Sequence, residues 1–248
     1  MSLSGRFGMV VDLPLTNTGT EGETELRYRR LQTLPEQIAE QVSHAIMRGD
    51  YGPGDPVKEQ DLANLFQVSR GPIREALRIL EKEGVVRIVP NRGARVTSLS
   101  IQEVQDIFEI RAALSQLAAE HLCSSQDEKL RQGFVEQARA IVEVAEDPDA
   151  LNDYVNRSYS LSTMLSNSSS NRRLADMMQS LARQTIRYSL LGLRRPERRR
   201  ESAAIWQRVA QAVSDRDTAQ ASRLILQLIN DSKNAAVAEL EEDAARGS

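Results

Sequence analysis

Apolar residues recur at helical spacing from Leu34 onward. Leu34, Ile38, Val42, Ala45 and Ile46 share one face, and the run stops at Gly49. Tyr51-Gly-Pro-Gly54 reads as a turn, and a second short helix is expected near Glu59–Phe66 with Leu62, Ala63 and Leu65 or Phe66 inward. Val68 sits in a tight turn. Ser69 is a natural N-cap with Pro72 inside the first helical turn, and the third helix carries Ile73, Ala76, Leu77 and Leu80 as far as Gly84. Two β-rich runs, Val85–Val89 and Ala94–Val96, flank Pro90-Asn91-Arg92-Gly93 and predict a hairpin.

Beyond Ser100 the period is helical to the end. Six helices are expected, at about 100–124, 126–146, 149–167, 171–191, 196–214 and 216–242, divided by Ser, Asp-Pro and Gly breaks. The first is amphipathic through Val104, Ile107, Ile110, Leu114 and Leu117, and the last through Ala221, Leu224, Ile225, Leu228 and Ile229. Residues 1–33 sustain no apolar period and read as a tail, with one short strand suggested over Met9–Leu15; residues 244–248 read as a second tail. The fold class is therefore mainly α: a three-helix unit with a hairpin over 34–98, then an all-α bundle of about six helices over 99–243.

Composition agrees. Aromatics make up only 4 % of 248 residues, and Gly and Pro are sparse, which disfavours a β-sandwich or barrel. The net charge of −3 excludes a protein that coats nucleic acid, but not one that reads DNA through a local basic patch. A single cysteine, Cys123, forbids an intrachain disulfide, and two histidines, His44 and His121, forbid a three-histidine metal site. Cys123 and His121 stand two apart, which points their side chains away from each other on a helix. No apolar run reaches membrane-span length, and the start does not read as a signal peptide, so a cytoplasmic protein is expected. No nucleophile–base spacing, phosphate loop or cofactor fingerprint is present, so no enzyme and no cofactor is expected.

Helix, helix, turn, helix, hairpin is the plan of a winged helix-turn-helix. The third helix carries Arg70, Arg74, Arg78 and Lys82 at intervals of four, opposite its apolar face. Arginine forks bond guanine O6 and N7 or clamp phosphate, and Arg92 beside Gly93 gives the hairpin tip a basic point of close approach. The plainer reading of the stripe is a solvated face whose cations pair with Glu75, Glu81 and Glu83.

The runs Gly49-Asp-Tyr-Gly-Pro-Gly54, Val57-Lys-Glu-Gln-Asp-Leu-Ala63, Val68-Ser-Arg-Gly-Pro-Ile-Arg-Glu-Ala-Leu77 and Asn91-Arg-Gly-Ala-Arg-Val96 closely resemble the DNA-binding domain of GntR-family bacterial regulators. The resemblance spans about 34–98 and implies DNA contacts at Arg70, Arg74 and the wing-tip Gly93, with a further contact position occupied here by Gln60. With Ser69, Arg78 and Arg92 these make the candidate DNA-binding set.

Residues from about 100 to 240 resemble, more diffusely, the FadR-like C-terminal domain, through Asp106-Ile-Phe-Glu-Ile-Arg-Ala-Ala-Leu114, Ser169-Ser-Asn171 with Leu174, and Ala212-Val213 with Asp217 and Ala221. In that subfamily a metal is held by an Asp, a His one turn later and two further His. Those positions fall here on Asn156 or Ser158, on Ser160 or Ser162, on Trp206 and on Leu228, so no metal site is expected. Arg111, beside the inward face of its helix, is then the leading candidate to hold an anionic effector, against an ion pair with Glu109 or Asp106. Arg183 and Arg187 with Tyr188 form a candidate second clamp, and Asn156, Tyr159, Ser160 and Trp206 are further pocket candidates. The cluster Arg194, Arg195, Arg198, Arg199 and Arg200 reads as a solvated loop.

The combined expectation is a ligand-responsive transcriptional regulator, a repressor by family habit. It binds a palindromic double-stranded operator as a homodimer and responds to a small carboxylate effector. The alternative is a DNA-binding regulator whose helical domain serves only dimerisation or protein docking.

Overall fold

A computed structural model describes residues 32–47, 49–90, 92–147 and 149–246. The strand suggested over Met9–Leu15 lies outside the described residues. The chain divides after Thr97 into two compact units.

In the first unit, α1 (Leu34–Met47), α2 (Glu59–Phe66) and α3 (Arg70–Lys82) accompany a small sheet of β1 (Pro56–Val57), β2 (Val86–Val89) and β3 (Gly93–Val96). The sheet is antiparallel in the order β1-β3-β2; Arg87 faces Arg95 and Pro56 also faces Arg95. The hairpin was legible in the sequence, whereas β1, only two residues long, was not. Its Pro and the Gly-rich turn before it mask the strand signal, and pairing with β3 supplies what propensity does not. The core joins Ile38, Val42, Leu62, Ile73, Leu77 and Leu80 to Val57, Val86 and Val96. Gln67 closes α2 in the left-handed region (φ 54°), with its N–H on the Ala63 carbonyl. The chain is thereby free to start α3 at the extended N-cap Ser69 two residues later. That short turn fixes which face of α3 is buried.

The second unit contains, among the described residues, α4 (Ile101–Ser124), α5 (Glu128–Ala145), α6 (Leu151–Asn167), α7 (Arg172–Leu193), α8 (Pro196–Ser214) and α9 (Thr218–Arg246). Caps explain where several begin. Ser100 and Glu103 form a reciprocal capping box on α4, Asp127 Oδ1 accepts from Leu130 N–H at 3.0 Å, and Asn171 Oδ1 accepts from Leu174 N–H at 3.2 Å. The last helix runs to Arg246 rather than ending near 242, because Arg246 pairs back onto Glu242 at 3.1 Å and Asp243 at 3.7 Å.

α4 packs along α9 and α5 along α8. Phe108, Phe134, Tyr154 and Trp206 are among the largest fully buried side chains, with Arg199, and Ala112, Ala118, Ala119, Ala221 and Ala236 are buried beside them. The inward face of α4 is consequently not the expected Ile/Leu stripe. Val104, Phe108, Ala112, Ser115, Ala119 and Leu122 face the core, while Ile110 and Leu117 are 49 % and 38 % exposed and Ile107 and Leu114 are half-buried.

The arginine cluster is likewise no solvated loop. Arg198 and Arg199 are buried. Arg199 Nη1 donates to the last carbonyls of α7, Leu193 at 3.1 Å and Arg194 at 3.3 Å, and Nη2 donates to Asp147 O at 3.3 Å. Arg195 ties the start of α8 to Glu239 (2.7 Å) and Glu242 (3.0 Å) of α9.

α7 crosses α9 closely at Gly192, where an added Cβ would meet Ala235 Cβ at 2.5 Å. Gly192→Ala should therefore destabilise the bundle by roughly 1–3 kcal/mol, overpacking outweighing the gain in helix propensity. Urea denaturation of the variant beside the wild type measures it.

Candidate nucleic-acid interface and effector pocket

The short turn before α3 leaves its polar face outward. Arg70 is the first helical residue, and Arg70, Arg74 and Arg78 are all exposed, with Ser69 exposed at the N-cap. The stripe pairs only in part as the solvated-face reading expected. Arg78 meets Glu75 loosely at 3.7 Å, but Glu81 accepts from Ile88 N–H at 3.0 Å, and Arg74 reaches across to α2, where its Nε donates to Glu59 Oε2 at 2.9 Å. Arg70 bonds Gln60 Oε1 through Nε at 3.1 Å and also through Nη2. Gln60 is thus a neighbour of Arg70 rather than a free side chain, and its amide nitrogen is committed to Asn64 Oδ1 at 2.9 Å. At the wing, Gly93 adopts φ 74°, a conformation costly for any residue with a Cβ, and both it and Arg92 are exposed. Arg95 instead turns inward to bond Gly54 O at 2.8 Å. Sequence reasoning missed Glu59, since nothing in linear spacing shows that the first turn of α2 stands beside the second turn of α3.

In the helical unit, Arg111 stands between two adjoining recesses, about 330 and 340 Å³ with the space open to solvent included. Both are lined by Arg111, Tyr159, Ser162 and Ala182, so they are two lobes around one guanidinium. One adds Ser115, Thr163, Ser166 and Gln179; the other adds Ser158, Ser189 and Ile186. Arg111 Nη1 donates to Thr185 Oγ1 at 2.7 Å, and the guanidinium lies 5.1 Å from the Phe108 ring centre. The expected ion pair with Asp106 or Glu109 does not form. Asp106 accepts from Gln102 at 2.8 Å, and no carboxylate among the described residues pairs with Arg111. Burial pulls the Arg111 pKa down to about 10, partly offset by Tyr159. It remains charged at neutral pH, so the recess holds a cation to which the described residues supply no anion.

Other expected pocket residues lie elsewhere. Asn156 and Ser160 are exposed, on the side of α6 turned away from the recess. Trp206 is core packing: it meets Phe134 edge-on at 6.1 Å. Arg187 donates to Tyr188 OH at 2.7 Å and stacks on that ring, and the same hydroxyl accepts from Leu99 N–H at 2.9 Å. Neither Arg183 nor Arg187 lines either lobe. The residues missed are the hydroxyls. Ser158, Ser162 and Ser166 recur every fourth position of α6, a readable stripe hidden in a run rich in serine.

The positions that the resemblance assigns to a metal do not fit one. Ser158 and Ser162 open on the recess with hydroxyls, while Trp206 and Leu228 are buried in the core. No group of three or more His, Cys, Asp or Glu that could hold a metal gathers among the described residues. His121 Nδ1 meets Ser169 Oγ, and Cys123 is buried with its thiol pushed up to about 11 by desolvation, so neither is poised for chemistry.

A family model described as "Bacterial regulatory proteins, gntR family" matches residues 34–96, and one described as "FCD domain" matches residues 106–231. The chain belongs to the GntR family, with an FCD domain. This GntR chain is 37 % identical over 119 residues to the uncharacterized HTH-type transcriptional regulator YdhC of Bacillus subtilis, a match covering 46 % of this chain and 53 % of that protein. For relatives of this kind the chain thus spans about half of their length. It is 28 % identical over 194 residues to the HTH-type transcriptional repressor GlaR of Escherichia coli, covering 75 % and 88 % of the two chains. Among solved structures, Escherichia coli McbR/YncC matches at a TM-score of 0.71 and 18 % identity, covering 81 % and 95 %, a likeness of fold.

An unpaired, desolvated cation is costly to keep. Arg111→Met should therefore leave the free protein as stable as before or more stable, by on the order of 1 kcal/mol, because a similar volume is filled without a buried charge. Thermal melts with no added acid check this.

Proposed function

We propose that this GntR/FCD protein is a DNA-binding transcriptional repressor. It occupies a palindromic operator as a homodimer, and a small carboxylate held at Arg111 modulates that occupancy. The observation on which the reading rests is the exposed pair Arg70 and Arg74 at the N-terminal end of α3, the end of a recognition helix that enters the major groove. The exposed Gly93 and Arg92 of the wing support a second contact with the duplex. The repressor sense is supported by relatives named as repressors, GlaR among them.

The effector reading is supported by the unpaired guanidinium among hydroxyls. A carboxylate supplies the missing anion, and two N–H groups can bind it in parallel. Treating the bundle as a dimerisation module alone leaves that half-buried cation without a purpose. The dimer reading is supported by the misplaced stripe of α4: Ile107, Ile110, Leu114 and Leu117 run down one side of the helix, with Ile110 and Leu117 exposed. Met177, 53 % exposed, lies on α7, the helix that Arg111 and Thr185 bond to α4. Exposed apolar rows of this kind mark association surfaces. A ligand that favours one dimer geometry by a few kcal/mol changes operator occupancy by orders of magnitude.

Arg74→Ala should weaken operator binding at least tens of fold with fold and dimer intact, since two heads each lose roughly 1–3 kcal/mol. Unchanged affinity in a gel-shift titration refutes the head assignment. A thermal-shift screen of small organic acids should give a responder whose effect is roughly 2.7 kcal/mol at 100 times its Kd, is indifferent to chelator and vanishes in Arg111→Met. A screen with no responder returns the bundle to dimerisation alone. Ile110→Arg with Leu117→Arg should yield a monomer by light scattering, and a dimer that persists places the interface elsewhere.

A further inference from the structure

Arg70 and Arg74 are not equivalent in this fold, although the sequence presents them as two members of one basic stripe. Arg74 is bonded through Nε to a carboxylate, Glu59 Oε2, at 2.9 Å. Arg70 is bonded through Nε and Nη2 to the neutral amide oxygen of Gln60. Both acceptors belong to the first turn of α2. Glu59 is the better fixed partner of its pair, its side chain 32 % exposed against 60 % for Arg74. It opens α2, where the helix dipole favours a negative charge.

Two consequences follow from the chemistry of a guanidinium held in this way. With Nε occupied, the two Nη groups remain as a fork, aimed by an anchor on a different helix rather than swinging on a four-bond stem. With a carboxylate beside it, the charge of Arg74 is largely cancelled at the distances where phosphates are sensed, whereas Arg70 keeps its own. Arg74 is thereby made a poor phosphate clamp and a good base reader, and Arg70 the reverse.

We propose that Glu59 is a specificity-determining positioning residue, whose carboxylate orients the Arg74 fork toward a base edge and withholds its charge from the DNA backbone. This rests on the reading of α3 as the recognition helix.

The test uses the full-length protein with two duplexes, one enriched by that protein from a random-sequence pool and one scrambled duplex of equal composition. Affinities are measured across a salt series for wild type, Glu59→Ala, Glu59→Gln, Arg74→Met and the double variant Glu59→Ala/Arg74→Met. In Glu59→Ala the ratio of selected to scrambled affinity should fall roughly tenfold or more. Its binding to the scrambled duplex should hold or strengthen, with a log–log salt slope steeper by about one unit per head as Arg74 becomes available to phosphate. Glu59→Gln, which keeps an acceptor, should retain most of the ratio. In the Arg74→Met background, removing Glu59 should change nothing further.

An unchanged ratio in Glu59→Ala overturns the proposal. So does a parallel loss of both affinities, which marks a merely structural role, and so does a Glu59→Gln ratio as low as that of Glu59→Ala. Arg74→Met without effect on the selected duplex refutes the recognition-helix reading itself, a failure distinct from that of Glu59.

Discussion

The small-residue seam where α4 lies along α9 governs what the helical unit can offer. Ala112 and Ala119 of α4 and Ala221 of α9 are buried, Ser222 of α9 accepts from Gln116 and donates to Glu120 of α4, and this packing sets the rotation of α4 about its own axis. Each residue on a helix is turned by about 100° from the last. Burying Ala112 therefore leaves Arg111 at the margin of the core, where it faces the hydroxyls of α6 and α7. The same rotation pushes Ile110 and Leu117 out to solvent. The recess and the apolar row are two results of one packing decision.

The head depends on a similar economy. A single left-handed residue, Gln67, lets α2 end and α3 begin within three residues, and it buries Ile73, Leu77 and Leu80. The arginines at 70, 74 and 78 are left outside because the helix period gives them nowhere else to go. Local charge serves where net charge does not: a chain of net charge −3 still exposes Arg70, Arg74 and Arg78 along one helix, with Glu59 and Glu75 beside two of them.

Much of this was legible before any coordinates. The Ser, Asp-Pro and Gly breaks in the apolar period placed most helix starts within a few residues, and Ser69 stands at the N-cap of α3 with extended backbone, although its side chain makes no cap bond. Arg111 stood out as a charge beside an apolar face, and the structure places it in a recess. The errors share a cause. The row Val104, Ile107, Ile110, Leu114 and Leu117 reads as the core face by its helical spacing, but only Val104 is buried, and small residues such as Ala112 and Ala119 take the inward positions. Arg199 looked solvated in a row of five arginines, yet it finishes α7 by meeting its last carbonyls, a tertiary contact with no linear signal. Trp206 took its pocket role from a family position, and bulk carried it into the core beside Phe134. Glu59 and the serine row of α6 were overlooked because exposed acids and serines are the commonest background of a helix surface.

With no clearance at Gly192, α7 and α9 cannot slide past one another without a clash between their backbones and Cβ atoms. They make a fixed frame, to which α4 is fastened by its own seam. The remaining wall of the recess, α6, presents Ser158, Ser162 and Ser166 there beside Val155 and Tyr159. Opposite that frame the wall around Arg111 is polar, so the recess meets whatever enters it with a row of hydroxyls and one guanidinium.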